Sequence, residues 1–256
     1  MNEPIFNQVK QAHQNRRKQL AVLLDPDKIN DFDSYRHLIK AAASSGVDYF
    51  FVGGSLITTN HFSNLIRHIK AVTSIPVIIF PGSNLQIDSS ADALLFLSLI
   101  SGRNPEMLIG QHVVAAPVLK RSKLEIIPTG YMLVNSGQQT AVSYLSNTTP
   151  IPADKPTIAA CTAMAGEMLG LKLIYLDAGS GAEAPVPARI ISMVRKSIDG
   201  PLIVGGGIRS RNKAFLALEA GADMLVIGNG VEQSPGLVEE VANCVYDFNQ
   251  QNVDLN

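Results

Sequence analysis

Residues 201–230 read PLIVGGGIRSRNKAFLALEAGADMLVIGNG. The apolar run at 202–204 has the composition of a short strand and ends in Gly205, Gly206 and Gly207. Ser210 then caps a helical pattern that carries Phe215 and Leu218, Gly221 stops it, and a second apolar run at 224–227 ends in Gly228, Asn229 and Gly230. Strand, glycine loop, helix, strand is a βα unit, the building block of a parallel sheet.

The same unit recurs upstream. Apolar runs at 20–24, 48–52, 77–80 and 93–97 end before Asp25, Gly53, Pro81 and Ser98, and further runs lie at 124–127 and 172–176. With the two above they predict eight strands. Each is nearly continuous in apolar residues rather than alternating, as strands covered on both faces are. The expected fold class is therefore α/β, a closed parallel barrel rather than a two-sided open sheet. Asn104-Pro105, Pro187 and Ser234-Pro235 mark further helix starts, and Gly46 and Gly170 mark further stops. Two connections look irregular. PGSNLQIDSSAD at 81–92 is too polar and short for a crossover helix, so a loop is expected in place of the third helix. The segment 131–156 is a long excursion rich in Ser, Thr and Pro, although Tyr131, Met132, Leu133, Tyr144 and Leu145 make it more apolar than a solvated loop.

Composition agrees with this scheme. The chain has 256 residues, 46% hydrophobic and 17% charged, which suits one globular domain over 1–256 and excludes a disordered or fibrous chain. Twenty-one Lys and Arg against 22 Asp and Glu leave a formal charge of -1, so no global field favours nucleic acid or anionic lipid. Cys161 and Cys244 are far apart and outside any Cys-x-x-Cys pattern, which argues against a disulfide scaffold or thiolate zinc site. No apolar run reaches the roughly 18 residues of a membrane span, and the polar N-terminal stretch lacks a signal-type cleavage site, so a cytoplasmic protein is expected.

In a parallel barrel the residues that follow each strand gather at one mouth. Here these are Asp25 and Asp27 in LLDPDK, Gly53 to Ser55 in FVGGS, Tyr175 to Gly181 within IYLDAGSGA, and the glycine clusters at 205–207 and 228–230. Glycine loops after the seventh and eighth strands expose backbone N–H groups and suit a phosphate, with Ser180 as an added hydroxyl donor. Asp25 and Ser55, at neighbouring strand ends, suit Mg²⁺, which takes a few protein oxygens and keeps other positions for water and phosphate. Two anion sites in one mouth follow, one metal-assisted and one metal-free. The five histidines (His13, His37, His61, His68, His112) show no ligand-type pairing and read as surface residues, while Glu167, Glu183 and Arg209 fit either the edge of the site or solvated helix ends. Cys161, Met164 and Met168 read as core, and the small residues Ala159, Ala160, Ala163, Ala165 and Gly166 leave room for a long thin apolar ligand.

These motifs resemble the geranylgeranylglyceryl phosphate synthase family, which includes the heptaprenylglyceryl phosphate synthases. The likeness runs from about Leu20 to Gly230 through LLDPDK, VGGS, PTGYMLV, YLDAGSGA, VGGGIRS and IGNG in family order. The resemblance implies a modified TIM (β/α)₈ barrel and a Mg²⁺-dependent prenyltransferase of ether-lipid biosynthesis. It would join the 3-hydroxyl of sn-glycerol 1-phosphate to an allylic polyprenyl diphosphate, such as geranylgeranyl diphosphate, and release diphosphate. It further implies that Asp25 and Ser55 hold the metal, that Tyr175, Leu176, Asp177, Ala178, Gly179, Ser180, Gly181, Gly206, Gly207, Gly228 and Asn229 bind glycerol 1-phosphate, and that Tyr175 and Asp177 are catalytic. A homo-oligomer is implied as well. One position departs from the family pattern: Asp177 stands where the family usually has Glu, a loss of about 1.5 Å of reach.

Tyr131, the excursion near Tyr144 and the small-residue helix 159–166 are the expected walls of the prenyl groove. Two other readings stay open from the residues alone. One is a barrel isomerase or aldolase acting on a phosphorylated small molecule, which would need a base at the mouth. The other is a non-catalytic homologue that binds prenyl and phosphate groups, with Asp177 the mark of lost activity.

Overall fold

The computed structural model describes residues 3–29, 31–228, 231, 234 and 236–253. Eight strands, β1 (Gln19–Leu24), β2 (Tyr49–Val52), β3 (Val77–Ile79), β4 (Ala93–Leu99), β5 (Glu125–Leu133), β6 (Leu173–Asp177), β7 (Leu202–Gly205) and β8 (Met224–Ile227), form a closed barrel in chain order. Every neighbouring pair is parallel, and β1 closes the ring by pairing with both β2 (Ala21 with Tyr49) and β8 (Gln19 with Met224). Outside the barrel lie α2 (Phe32–Ser44), α3 (Phe62–Val72), α4 (Gln111–Arg121), α6 (Pro156–Met168), α7 (Ala188–Arg195), α8 (Arg211–Glu219) and α9 (Gly236–Val253), with α1 (Pro4–Gln14) before β1 and the short α5 (Ala141–Leu145) after β5. No helix separates β3 from β4, as the polar 81–92 segment predicts.

The continuous apolar runs have a direct cause. On β1, Leu20, Val22 and Leu24 join the layer between barrel and helices, while Ala21 packs inside the barrel with Tyr49, Phe51, Leu95 and Tyr175. Both faces are dry, so both need apolar side chains.

Several features add to the sequence reading or differ from it. The polar N-terminal stretch contains α1, whose Ile5 and Val9 join the inner core cluster. Buried Glu125, at the start of β5, accepts hydrogen bonds from Ile5 N (2.8 Å) and Phe6 N (2.7 Å), satisfying donors that a helix start leaves open. β5 continues to Leu133, so Tyr131, Met132 and Leu133 belong to the barrel wall and not to the excursion. The strand runs on through Pro128, Thr129 and Gly130, beyond the apolar run at 124–127. In the fold Thr129 is buried and donates its hydroxyl to Ile127 O (2.9 Å), and a Cβ on Gly130 would meet methyls of Ile100 and Ile174 at 2.9 Å.

The small residues of α6 serve packing: Ala159, Ala160, Ala163 and Gly166 are buried, and a Cβ on Gly166 would stand 2.7 Å from Ile100 Cδ1. Cys161 and Met168 of that helix are exposed rather than core. The histidines are not all at the surface either. His112 is buried with Nε2 3.2 Å from Ser98 Oγ, and His13 bonds Asp223 at 2.9 Å.

Candidate active site

A cavity of about 490 Å³ opens at the C-terminal mouth of the barrel and continues along the outer face of β4 beneath α4. The missing third helix leaves this space. Its mouth is lined by Asp25, Ser55, Tyr131, Tyr175, Asp177 and the glycine loops, and its far arm by Leu94, Phe96, Met107, His112, Ala115 and Leu119. The apolar wall therefore comes from β4, α4 and α5, not from the small residues of α6.

On one side of the mouth, Asp25 follows β1 and Ser55 follows β2, brought level by the pairing of Leu24 with Val52. Asp25 Oδ1 accepts from Asp27 N at 3.0 Å. Burial pushes this carboxyl above its ordinary range, against the Asp27 N–H and the charge of Lys28. Gly54 makes room for it, since a Cβ there would stand 3.2 Å from Asp25 Oδ1. The 81–92 loop pins this corner through Gln86, which donates to Gly54 O at 3.0 Å and accepts from Gly82 N at 2.9 Å.

Asp27 has a different task. Burial would raise its carboxyl slightly, but hydrogen bonds from Thr58 N (2.7 Å), Thr59 N (3.0 Å) and both threonine hydroxyls hold it at about 2. It fastens the loop after β2 to the loop after β1.

Opposite lies Asp177, at the end of β6 and 7% exposed. Its Oδ2 accepts from the Tyr131 hydroxyl at 2.6 Å and its Oδ1 from Gly179 N at 2.8 Å. Burial raises its carboxyl above the usual range even against these two donors. The loop after β7 nests on the same group. Gly206, with φ of 79°, lies so close that a Cβ would stand 2.6 Å from Asp177 Oδ1 and 2.8 Å from Ala178 N. Tyr175 stands in the inner core, its ring stacked on Phe80 at 5.2 Å and edge-on to Tyr131 at 5.6 Å.

Of the residues named from sequence, Asp25, Ser55, Tyr175, Asp177, Gly179, Ser180, Gly181, Gly206, Gly207 and Gly228 all line this one cavity. Leu176 and Ala178 do not, because their side chains are buried in the layer between barrel and helices. Asn229 lies outside the described residues. Arg209 is the one cationic side chain among the described lining residues, whereas Glu167 is occupied elsewhere, accepting from Asp199 N and Gly200 N. Sequence reasoning misplaced Tyr131, whose contact with Asp177 spans 46 residues of chain and leaves no local pattern.

A profile of the PcrB family matches residues 13–246. The chain belongs to the PcrB family. A geranylgeranylglyceryl phosphate synthase of Spirosoma linguale is 60% identical over 234 residues, 91% of this PcrB-family chain and 94% of its own. One from Chitinophaga pinensis is 51% identical over 246 residues, 96% and 97% of the two chains. The crystal structure of (S)-3-O-geranylgeranylglyceryl phosphate synthase from Thermoplasma acidophilum, in complex with its substrate sn-glycerol-1-phosphate, superposes with a TM-score of 0.89 at 32% identity, covering 95% of this chain and 98% of that one.

Proposed function

We propose that this protein transfers a polyprenyl group, geranylgeranyl in the first instance, from its diphosphate to the 3-hydroxyl of sn-glycerol 1-phosphate, releasing diphosphate, as a step of ether-lipid biosynthesis. The observation that carries the reading is the cavity itself: a glycine-lined polar corner, a carboxylate and hydroxyl corner, and an apolar arm meet in one space. A phosphate, a diphosphate and a hydrocarbon chain need those three environments side by side. The names of the relatives support the same substrates.

Asp25 and Ser55 fit magnesium. They offer oxygen donors only, Gly54 keeps space beside the carboxylate, and so few protein ligands leave positions for water and diphosphate oxygens. When bound there, the ion would offset charge on the departing diphosphate. Backbone N–H groups of the loops after β6 and β7 hold the phosphate of the acceptor, and Arg209 adds a counter-charge. Fixing the acceptor hydroxyl near C1 of the prenyl chain makes the displacement effectively unimolecular, and Asp177 receives the proton.

The isomerase or aldolase reading finds no lysine at the mouth among the described lining residues: Lys172 precedes β6 at the other end, paired with Glu3 at 2.6 Å. A homo-oligomer and a cytoplasmic location belong to the same proposal. Exposed Ile158, Cys161 and Met168 of α6, followed by exposed Leu169, form an apolar stripe that suits self-association. No helix among the described residues is long and apolar enough to cross a membrane.

The test is product formation from geranylgeranyl diphosphate and sn-glycerol 1-phosphate with and without Mg²⁺. Diphosphate release that requires both substrates is expected, and tight binding of both without release would defeat the proposal in favour of a binding protein.

Two variants separate the subsites. Gly206→Val places a branched side chain at positive φ against Asp177 and Ala178, so the KM for glycerol 1-phosphate should rise roughly tenfold or more with prenyl diphosphate binding nearly intact. Calorimetry with each ligand checks this, and equal weakening of both would assign the loop a general folding role. Arg209→Gln should raise the same KM by roughly fivefold through loss of one charge-assisted contact, with kcat little changed and the effect shrinking at high salt. A rise confined to the prenyl diphosphate KM would move Arg209 to the other anion.

A further inference from the structure

We infer that Tyr131 is a catalytic residue, the group that takes the proton from the acceptor hydroxyl while passing its own to Asp177. The inference rests on the proposed transfer and adds a member to its chemistry.

The argument begins with the carboxylate. Each oxygen of Asp177 already accepts a hydrogen bond, Oδ1 from Gly179 N at 2.8 Å and Oδ2 from Tyr131 at 2.6 Å, and the side chain is only 7% exposed. A buried carboxylate so engaged is a proton sink at the edge of the cavity, which it lines together with Tyr131. Tyr131 lines the cavity and carries its hydroxyl on the Asp177 side of it. Its single hydrogen is committed to Asp177, so towards a ligand its oxygen can only accept. An incoming alcohol has a hydrogen to give. The chain alcohol, Tyr131, Asp177 is thus a continuous donor-to-acceptor line with one direction. Tyr175, the neighbouring phenol, makes no hydrogen bond to Asp177 among the described contacts and lies against Gly205, where a Cβ would stand 2.5 Å from its hydroxyl. It is a wall rather than a relay.

The step balances. The acceptor oxygen forms a bond to C1 of the prenyl group as the bond from C1 to diphosphate oxygen breaks, the leaving group keeping that electron pair. The alcohol proton moves to Tyr131 oxygen and the Tyr131 proton moves to Asp177 Oδ2. No oxidant or further reactant is needed. Burial and the nearby charge of Asp177 hold the Tyr131 phenol well above 10, so it stays protonated at rest and passes a proton through without storing charge.

Tyr131→Phe removes one oxygen and keeps the ring against Phe80 and Tyr175. With Mg²⁺, geranylgeranyl diphosphate and glycerol 1-phosphate, kcat should fall by roughly 10²-fold with the KM for glycerol 1-phosphate within about threefold. Asp177→Asn should fall at least as far, and the double variant should be no slower than the slower single one, because both act on one proton path. A Tyr131→Phe enzyme that keeps more than about a third of parental kcat, or losses that multiply in the double variant, would overturn the relay while leaving the transferase reading intact. A parent without turnover would instead sink the transferase reading. A second measurement uses the unaltered protein: single-turnover rates in mixtures of H₂O and D₂O should follow a curved, two-proton dependence, and a linear one would overturn the relay.

Discussion

Asp25→Ala is expected to lower turnover by roughly 10³-fold and to erase its dependence on Mg²⁺, the larger of the effects foreseen at the metal corner. The reason is a lack of substitutes. Among the described residues no group of three or more His, Cys, Asp or Glu side chains is arranged to hold a metal ion, so the corner offers one carboxylate and the Ser55 hydroxyl. Asp27 is two residues away but cannot step in, because Thr58 and Thr59 fill its oxygens with four hydrogen bonds at 2.7, 2.8, 2.8 and 3.0 Å. Releasing it would also open the clasp between the loops after β1 and β2. Calorimetric titration of Mg²⁺ in the presence of a non-hydrolysable prenyl diphosphate analogue measures the effect directly. A variant with a native circular dichroism spectrum and an unchanged metal titration would remove Asp25 from the site. Loss of the native spectrum would call for Asp25→Asn, which keeps the shape and a hydrogen-bond acceptor for Asp27 N.

What the sequence made legible follows from burial. Seven of the strands stand where the apolar runs lie to within two residues, since burial on both faces writes itself as an uninterrupted run. β5 extends past the apolar run at 124–127 because Thr129 and Gly130 also fit a tight interior, one by bonding its own strand and the other by its lack of a side chain. The small residues of α6 are ambiguous in sequence for a related reason. Small residues permit either a ligand or a neighbouring wall to come close, and only the position of Ile100 decides between them. Strand-end glycines and Asp25 were legible because topology alone sends strand ends to one mouth. The hydrogen bond of Tyr131 to Asp177 and the closure of the barrel floor by Glu125 and α1 join residues 46 and about 120 apart in the chain, where spacing carries no signal.

Asp177→Asn is the second large effect, a fall in kcat of roughly 10²- to 10⁴-fold, the range for a positioned acid–base group. The amide keeps the shape but cannot take up a proton, and its NH₂ would face either the Tyr131 hydroxyl or Gly179 N, both of which now donate. The pH dependence carries the same signature. Burial holds Asp177 above the ordinary carboxylate range, so parental kcat should decline as pH falls through that raised value, the protonated form being unable to receive the alcohol proton.

Asp177→Glu tests the geometry from the other side. One more methylene carries the carboxylate about 1.5 Å farther from the backbone. That gives up the hydrogen bond to Gly179 N, places the charge in a wetter position, and should move the acid limb of kcat down in pH while turnover stays within about tenfold of the parent or exceeds it. The two variants thus shift rate and pH profile in different directions if Asp177 works as the proton sink. Variants that both match the parent in rate and in profile would make Asp177 a strut for the glycine loops, and the proton would then have to leave with the diphosphate itself.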